Sequence, residues 1–147
     1  MTWKIDQPFV PYTLEMLESV ALRALPAPAT KILHVFEREL VAGGYNGKLR
    51  VPQSLILEWM NAGNKAAVSL PVRQLHRLGF IRPGAGPRLV RLTFFATGNT
   101  PPTNEWRQVE TFEQADELLV DRSDNKSRPQ SDEYKSRLGT GDWPKRR

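Results

Sequence analysis

The stretch that most restricts the fold spans residues 65–94, KAAVSLPVRQLHRLGFIRPGAGPRLVRLTF. Its first half places apolar residues at helical spacing, so that one face of a helix over 65–78 would be buried. These residues are Val68, Pro71, Val72, Leu75 and Leu78. Gly79 ends the helix, and the chain then turns through PGAGP and returns as an alternating strand. The stretch therefore predicts a helix followed directly by a β-hairpin with one wet face.

Two helices are expected nearer the N-terminus. Thr13 is placed to cap the first, which runs to Leu25, where the residues PAP stop it. The second begins at about Pro28 and ends at the pair Gly43 and Gly44. Met16 and Leu17 are the apolar residues of the first helix, and the second carries apolar residues at helical spacing.

A short strand and a further helix are expected in between. Residues 47–51, GKLRV, alternate, with Leu49 and Val51 pointing inward. A helix over 52–60 follows and begins at a proline. Its buried side consists of Leu55, Ile56 and Trp59. The residues NAG end this helix, and Asn64 is placed to cap the next one, in which Pro71 predicts either a kink or a later start.

The predicted class is mainly α with a small antiparallel β-sheet, an α+β fold. The expected organisation is an arm at 1–12, a folded domain at 13–97, a loop and short helix at 98–120, and a charged tail at 121–147. Thr111 caps the short helix, which either folds back on the domain or mediates a homodimer. Its apolar side is formed by Phe112, Leu118 and Leu119. The tail is poor in aliphatic residues and is expected to be disordered.

Charge is unevenly distributed along the chain. The net charge is +5, yet residues 1–100 hold twelve Lys and Arg against six Asp and Glu. Between Trp59 and Asn104 there is no acid, and the basic residues there are Lys65, Arg73, Arg77, Arg82, Arg88 and Arg91. Solvated surfaces usually mix their charges, so this window indicates a surface that binds a polyanion. The alternative is a chance excess of basic residues on an exposed face.

Several classes of protein have no support in the sequence. There is no cysteine, no run long enough to cross a membrane, and no motif for a phosphate loop or a catalytic metal. The acids before residue 60 are scattered on separate elements and are expected to face solvent: Asp6, Glu15, Glu18, Glu37, Glu39 and Glu58. No enzymatic activity, metal, cofactor, small-molecule ligand or membrane association is expected, and the location is expected to be cytoplasmic.

Residues 13–97 resemble a winged helix-turn-helix domain. Residues 52–60 and 65–78 stand in the places of its two helix-turn-helix helices, with NAGN as the turn. LGFI and LVRLTF stand in the places of the hairpin strands, RPGAGPR at 82–88 is the wing tip, and GKLRV matches the short first strand. The segments MLES.ALRAL, GG.NGKL.V, RQLHRLGFI and PPTNEW also resemble small, mostly uncharacterised winged-helix proteins of bacteria, phages and mobile elements.

The resemblance implies binding to double-stranded DNA, with helix 65–78 in the major groove and the wing on the backbone. By spacing, Lys65, Ser69 and Arg73 share the face opposite the apolar stripe and are the expected contacts. Arg77 extends that face, either as a backbone contact or as a solvated residue. Arg82 and Arg88 flank the wing tip, where they reach phosphates or a narrow minor groove, unless the tip is simply polar.

Two functions are compatible with these features. In the first, the chain is a transcriptional regulator or a replication-associated factor of a mobile element. In the second, the scaffold is a protein–protein interaction module without sequence-specific DNA binding. The start of the expected recognition helix is the feature that favours the second function, because Ala66 and Ala67 cannot make bidentate hydrogen bonds to bases. Such a helix is better equipped to hold DNA than to read its sequence.

Overall fold

The computed structural model of the chain describes residues 6–120. Within these residues the chain forms an α+β fold, as predicted, with six α-helices, one 3₁₀ turn and a two-stranded antiparallel sheet. The elements are α1 Leu14–Glu18, α2 Val20–Ala24, α3 Ala27–Val41, α4 Gln53–Met60, α5 Ala66–Arg77, β1 Ile81–Pro83, β2 Val90–Leu92, the 3₁₀ turn Glu105–Gln108 and α6 Phe112–Leu119. No helix in this range has both the length and the apolarity needed to cross a membrane. The predicted disordered tail at 121–147 lies outside the described residues.

The first predicted helix is in fact two short helices. Thr13 caps α1 as expected, since its side chain accepts from the backbone N–H of Met16. At Ser19 the backbone becomes extended, with φ −67° and ψ 149°. The Ser19 hydroxyl donates to the carbonyl of Met16 (2.6 Å) and accepts from the N–H of Leu22 (3.2 Å). A serine that bonds its neighbouring backbone in this way competes with a continuous helix, and it starts α2.

The core forms where α3, α4 and α5 pack on one another. All five predicted apolar residues of α5 are buried, including Pro71, and the helix continues through this proline from Ala66 to Arg77. The alternative of a later start is therefore wrong. The largest buried side chains on α3 are Ile32, Leu33 and Phe36. Full burial of side chains of this size contributes about 1.5–3 kcal/mol each, which makes α3 and α5 the main stabilising pair.

The sheet is shorter than predicted, and β2 lies at its centre. In the β1–β2 ladder, Arg82 lies opposite Arg91. On the other edge of β2, the expected strand at 47–51 is reduced to one bridge between Leu49 and Val90. The N–H groups of Gly47 and Leu49 both donate to the carbonyl of Val90 (3.2 and 3.3 Å). Across the sheet the order is therefore 47–49, β2, β1.

Trp59 does not lie on the buried side of α4, so its predicted burial is wrong. Its side chain is 44% exposed, and the guanidinium of Arg38 lies 5.8 Å from the ring centroid. The helix is only eight residues long and buries Ile56 fully, while Leu55 is half-buried. Because Trp59 packs beside a charged group of α3, it keeps one ring face in contact with that cation.

The segment after the hairpin folds back onto the domain. Trp106 is buried, and Thr111 caps α6 by accepting from the N–H of Gln114 (3.0 Å). Helix α6 packs on α2 and α5 through Ala115, which agrees with the first of the two expected roles. Phe112, expected on the apolar side, is instead 42% exposed, with the guanidinium of Arg23 5.1 Å from its ring centroid.

Candidate nucleic-acid interface

The outward face of α5 carries the predicted recognition residues. Lys65 immediately precedes the helix and is exposed, whereas Ser69 and Arg73 are half-buried. The side-chain oxygen of Asn64 accepts from the N–H of Ala66 (2.9 Å), so the predicted cap is present. With a spacing of four residues, the three side chains share one side of the helix, beside the buried stripe, and the Nε atom of Arg73 is itself buried. The structure thus brings this part of the predicted site together.

Arg77 lies at the end of the same face but points toward the C-terminal segment. Its Nη1 atom donates to the carbonyl of Val120, at 3.1 Å. The guanidinium therefore makes a contact within the chain, with the residue that follows α6, and neither of the two expected roles included this contact. This contact also places the end of α6 beside the end of α5.

Arg82 and Arg88 have different environments, although both were expected to flank the hairpin tip. Arg88 is exposed and has a left-handed backbone, with φ 63°. Arg82 is half-buried, and its Nη1 atom donates to the carbonyls of His76 (2.6 Å) and Ile81 (3.1 Å). A cation at the C-terminal end of a helix complements the negative end of the helix dipole. Arg88 is therefore exposed at the tip, whereas the guanidinium of Arg82 bonds the end of α5. Contact of either residue with phosphates stays a prediction.

An acid from a distant part of the sequence lies among the arginines of the hairpin. The Oε2 atom of Glu105 is 3.0 Å from Nη2 of Arg91 and 4.0 Å from Nε of Arg82. Like charges directly opposite each other on neighbouring strands repel, so this carboxylate relieves the pairing of the two arginines. The basic window is thus free of acids along the sequence but not in space.

The pKa of Glu105 reflects this position. Partial burial by itself raises the pKa of the carboxyl group, but hydrogen bonds from Thr103 and Arg91 outweigh it and hold the pKa below its ordinary value. Glu105 is therefore a carboxylate at neutral pH, and it cancels part of the positive charge of the hairpin.

Two further basic residues that were not among the predicted contacts lie beside the hairpin. Leu49 and Val90 are buried and face each other across the bridge, so alternation directs Lys48 and Arg50 to the opposite, exposed side. The alternation of Lys48, Leu49 and Arg50 already carried this signal. The sequence alone does not place these residues beside the hairpin, because they precede it by more than thirty positions along the chain.

A separate polar cluster joins Glu37 and His34 of α3 to Tyr12. Glu37, expected to face solvent, is instead only 2% exposed. Its carboxylate accepts from the hydroxyl of Tyr12 and lies 2.7 Å from Nδ1 of His34. The three side chains are part of the lining of an open groove of about 610 Å³ between the N-terminal segment 8–12 and α3. Burial raises the pKa of Glu37, although its hydrogen bonds to Tyr12 and His34 oppose the increase.

The raised pKa of Glu37 predicts a pH-dependent stability. Since the folded pKa exceeds the ordinary value of 4.5, folding favours the protonated carboxyl group. The contribution of Glu37 is fully present below pH 4.5 and declines as the pH rises through the folded pKa. Glu37→Gln should flatten this decline, measured as the free energy of unfolding in urea between about pH 4 and pH 7. Tyr12→Phe should steepen the decline, because it removes a hydrogen bond that lowers the pKa; parallel curves for all three proteins would contradict the prediction.

Comparison with known proteins adds no relative. No family model matches the chain, and neither a curated protein nor a solved structure is significantly similar to it. Within residues 6–120 there is no cluster of three or more His, Asp or Glu side chains that could hold a metal ion. Any functional conclusion must therefore rest on the geometry of the described residues.

Proposed function

We propose that the chain is a winged-helix DNA-binding protein that acts as a transcriptional regulator or a replication-associated factor. The observation that carries this proposal is the helix α5, which has Lys65 exposed just before its start and Arg73 half-buried on the same side, followed directly by a hairpin with an exposed arginine at its tip. Two further features support the proposal, because they are expected of a winged helix-turn-helix domain. They are the order α3, 47–49, α4, α5, β1, β2 and the position of β2 between 47–49 and β1.

In this proposal α5 enters the major groove and the hairpin lies against the neighbouring backbone. Lys65 and Arg73 contribute charge, and Ser69 contributes a hydroxyl that can bond a base edge or a phosphate. Arg88 is the contact at the hairpin tip, whereas Arg82 also bonds the end of α5. Because Ala66 and Ala67 form the start of the helix, affinity comes mainly from phosphates, and sequence preference is weak.

The alternative function is a protein–protein interaction module. It is favoured by exposed apolar side chains on the N-terminal arm and α1, where Phe9 is 51%, Leu14 is 69% and Leu17 is 50% exposed. Large apolar groups that cluster on a surface mark interaction sites more often than isolated ones do. DNA binding remains the better-supported proposal because it accounts for the basic residues of both α5 and the hairpin.

The test is titration of the protein with a random-sequence duplex at several salt concentrations. We expect affinity to fall steeply with salt. The double variant Lys65→Ala/Arg73→Ala should reduce the slope of log affinity against log salt by about one unit for each phosphate that the variant no longer neutralises. Arg23→Ala/Lys31→Ala removes the same charge from exposed positions on α2 and α3 and is the matched control. A folded protein that does not bind at low salt would refute DNA binding and favour the interaction module.

A second measurement examines sequence preference. Selection of bound sequences from a random duplex pool should return a short, degenerate motif, because two alanines occupy the positions nearest the bases. A long motif with many fixed base pairs would show that α5 reads DNA through other side chains or through DNA shape.

A further inference from the structure

We infer that the solvent-facing side of the sheet is a second phosphate-binding surface, and that Glu105 reduces its charge. This surface, the outer sheet face, consists of Lys48, Arg50, Arg82 and Arg91. The inference rests on the proposed function, since it assigns an additional part of the protein to the same nucleic-acid partner.

The register of the strands places these four cations on one side. Leu49, Val90, Ile81 and Leu92 are all buried and therefore face the core. Side chains alternate along a strand, so their neighbours Lys48, Arg91 and Arg82 face outward on three adjacent segments. Neighbouring segments in a sheet lie about 4.8 Å apart, which spreads this row of cations over about 10 Å.

The segment at 47–49 and the hairpin tip form a single packed surface. The N–H of Ala85 donates to the carbonyl of Gly47, at 2.8 Å. A Cβ added to Gly84 would lie 2.2 Å from the same oxygen, so only glycine permits this approach. The tip is therefore held against the turn that precedes Lys48, and Arg88 belongs to the same side of the domain as the 47–49 segment.

Charge determines the partner of the outer sheet face. Within residues 6–120, Lys48 and Arg50 are exposed and make no salt bridge. Lys48 lies beside an aromatic ring, with its Nζ atom 5.5 Å from the ring centroid of Tyr45. Arg82 and Arg91 share the single carboxylate of Glu105. Four cations against one acid, three of them in a row across the sheet, favour the negative charges of a nucleic-acid backbone as the partner.

The first experiment removes the two exposed cations. Lys48→Ala/Arg50→Ala should weaken binding to a random-sequence duplex by about tenfold at ~0.1 M salt for each phosphate that is no longer neutralised. The slope of log affinity against log salt should also fall by about 0.9 for each such phosphate. The control is Arg23→Ala/Lys31→Ala, which changes the net charge equally on another part of the surface. If both double variants bind alike, the outer sheet face does not bind phosphate. If the wild-type protein does not bind any duplex, the proposed function itself fails.

The second experiment removes the acid. Glu105→Gln keeps the size of the side chain but leaves Arg82 and Arg91 with no carboxylate between them, so binding should tighten and the salt slope should increase. The measurement is made below the melting temperature of the variant, because loss of the ion pair also lowers stability. Unchanged or weaker binding by the folded variant would contradict the role given to Glu105.

Discussion

Leu75→Ala is expected to lower the free energy of unfolding by about 2–5 kcal/mol, since it truncates a fully buried side chain and leaves a cavity. Leu75 is 0% exposed and lies in the middle of the α5 stripe. It packs where α5 meets α3, the main stabilising pair of the fold. The surrounding backbone is helical on both sides, so the site has little freedom to collapse around the missing atoms.

Urea unfolding monitored by circular dichroism measures this loss, and Leu14→Ala is its matched control. Leu14 is 69% exposed on α1, so the same truncation there should change stability by no more than about 0.5 kcal/mol. Equal stability of the two variants would mean that α5 presents its other face to the core. Lys65, Ser69 and Arg73 would then be buried, and their assignment to DNA would fail.

The features of the fold that depend on local periodicity and on neighbouring residues could be predicted from the sequence. The α5 stripe, the hairpin that follows and the capping residues Thr13 and Thr111 could all be identified from spacing and residue type. Apolar periodicity specifies which face of an element is buried, and a cap needs only a few neighbouring residues. These features were therefore accessible without any knowledge of the tertiary contacts.

What the sequence did not reveal depends on partners that are distant along the chain. Glu37 is buried because Tyr12, 25 residues away, donates to it. Asn46 is buried because its amide bonds both the N–H (2.7 Å) and the carbonyl (2.9 Å) of Leu92. No local pattern distinguishes a carboxylate or an amide with such a partner from one in solvent, and burial without the partner would be costly.

The charge of the candidate site also depends on residues that are distant along the chain. A window without acids along the sequence predicted a uniformly basic hairpin, yet Glu105 reaches it from the 3₁₀ turn. Lys48 and Arg50 join the hairpin only through the bridge between Leu49 and Val90. The charge of a surface depends on all the residues that meet there in space. A window of sequence therefore predicts the sign of that charge better than it predicts which residues produce it.

The junction between α5 and β1 depends on Gly79. Its N–H donates to the carbonyl of His76 (3.1 Å), and the next N–H, that of Phe80, donates to the carbonyl of Leu75 (2.9 Å). This pair of bonds is typical of a helix end that turns through a left-handed residue, and Gly79 has φ +91°. The position is also crowded: an added Cβ would lie 2.6 Å from the backbone nitrogen of Trp106 and 2.7 Å from the carbonyl carbon of Glu105.

Gly79→Ala should therefore lower the free energy of unfolding by about 2–5 kcal/mol. The left-handed conformation of an alanine costs about 1–2 kcal/mol of this, and the clash of its Cβ with the backbone costs about 1–3 kcal/mol. The clash would push the 3₁₀ turn away from the hairpin, so Glu105 should separate from Arg91 as well. Gly63→Ala is the matched control, because nothing lies within 4 Å of its added Cβ and its φ is not left-handed. Thermal and urea unfolding should find that control as stable as the wild-type protein or slightly more stable. If Gly79→Ala unfolds at the same denaturant concentration as Gly63→Ala, the packing of the 3₁₀ turn against the end of α5 contributes nothing to stability. The electrostatic role of Glu105 at the hairpin would then lose its structural basis.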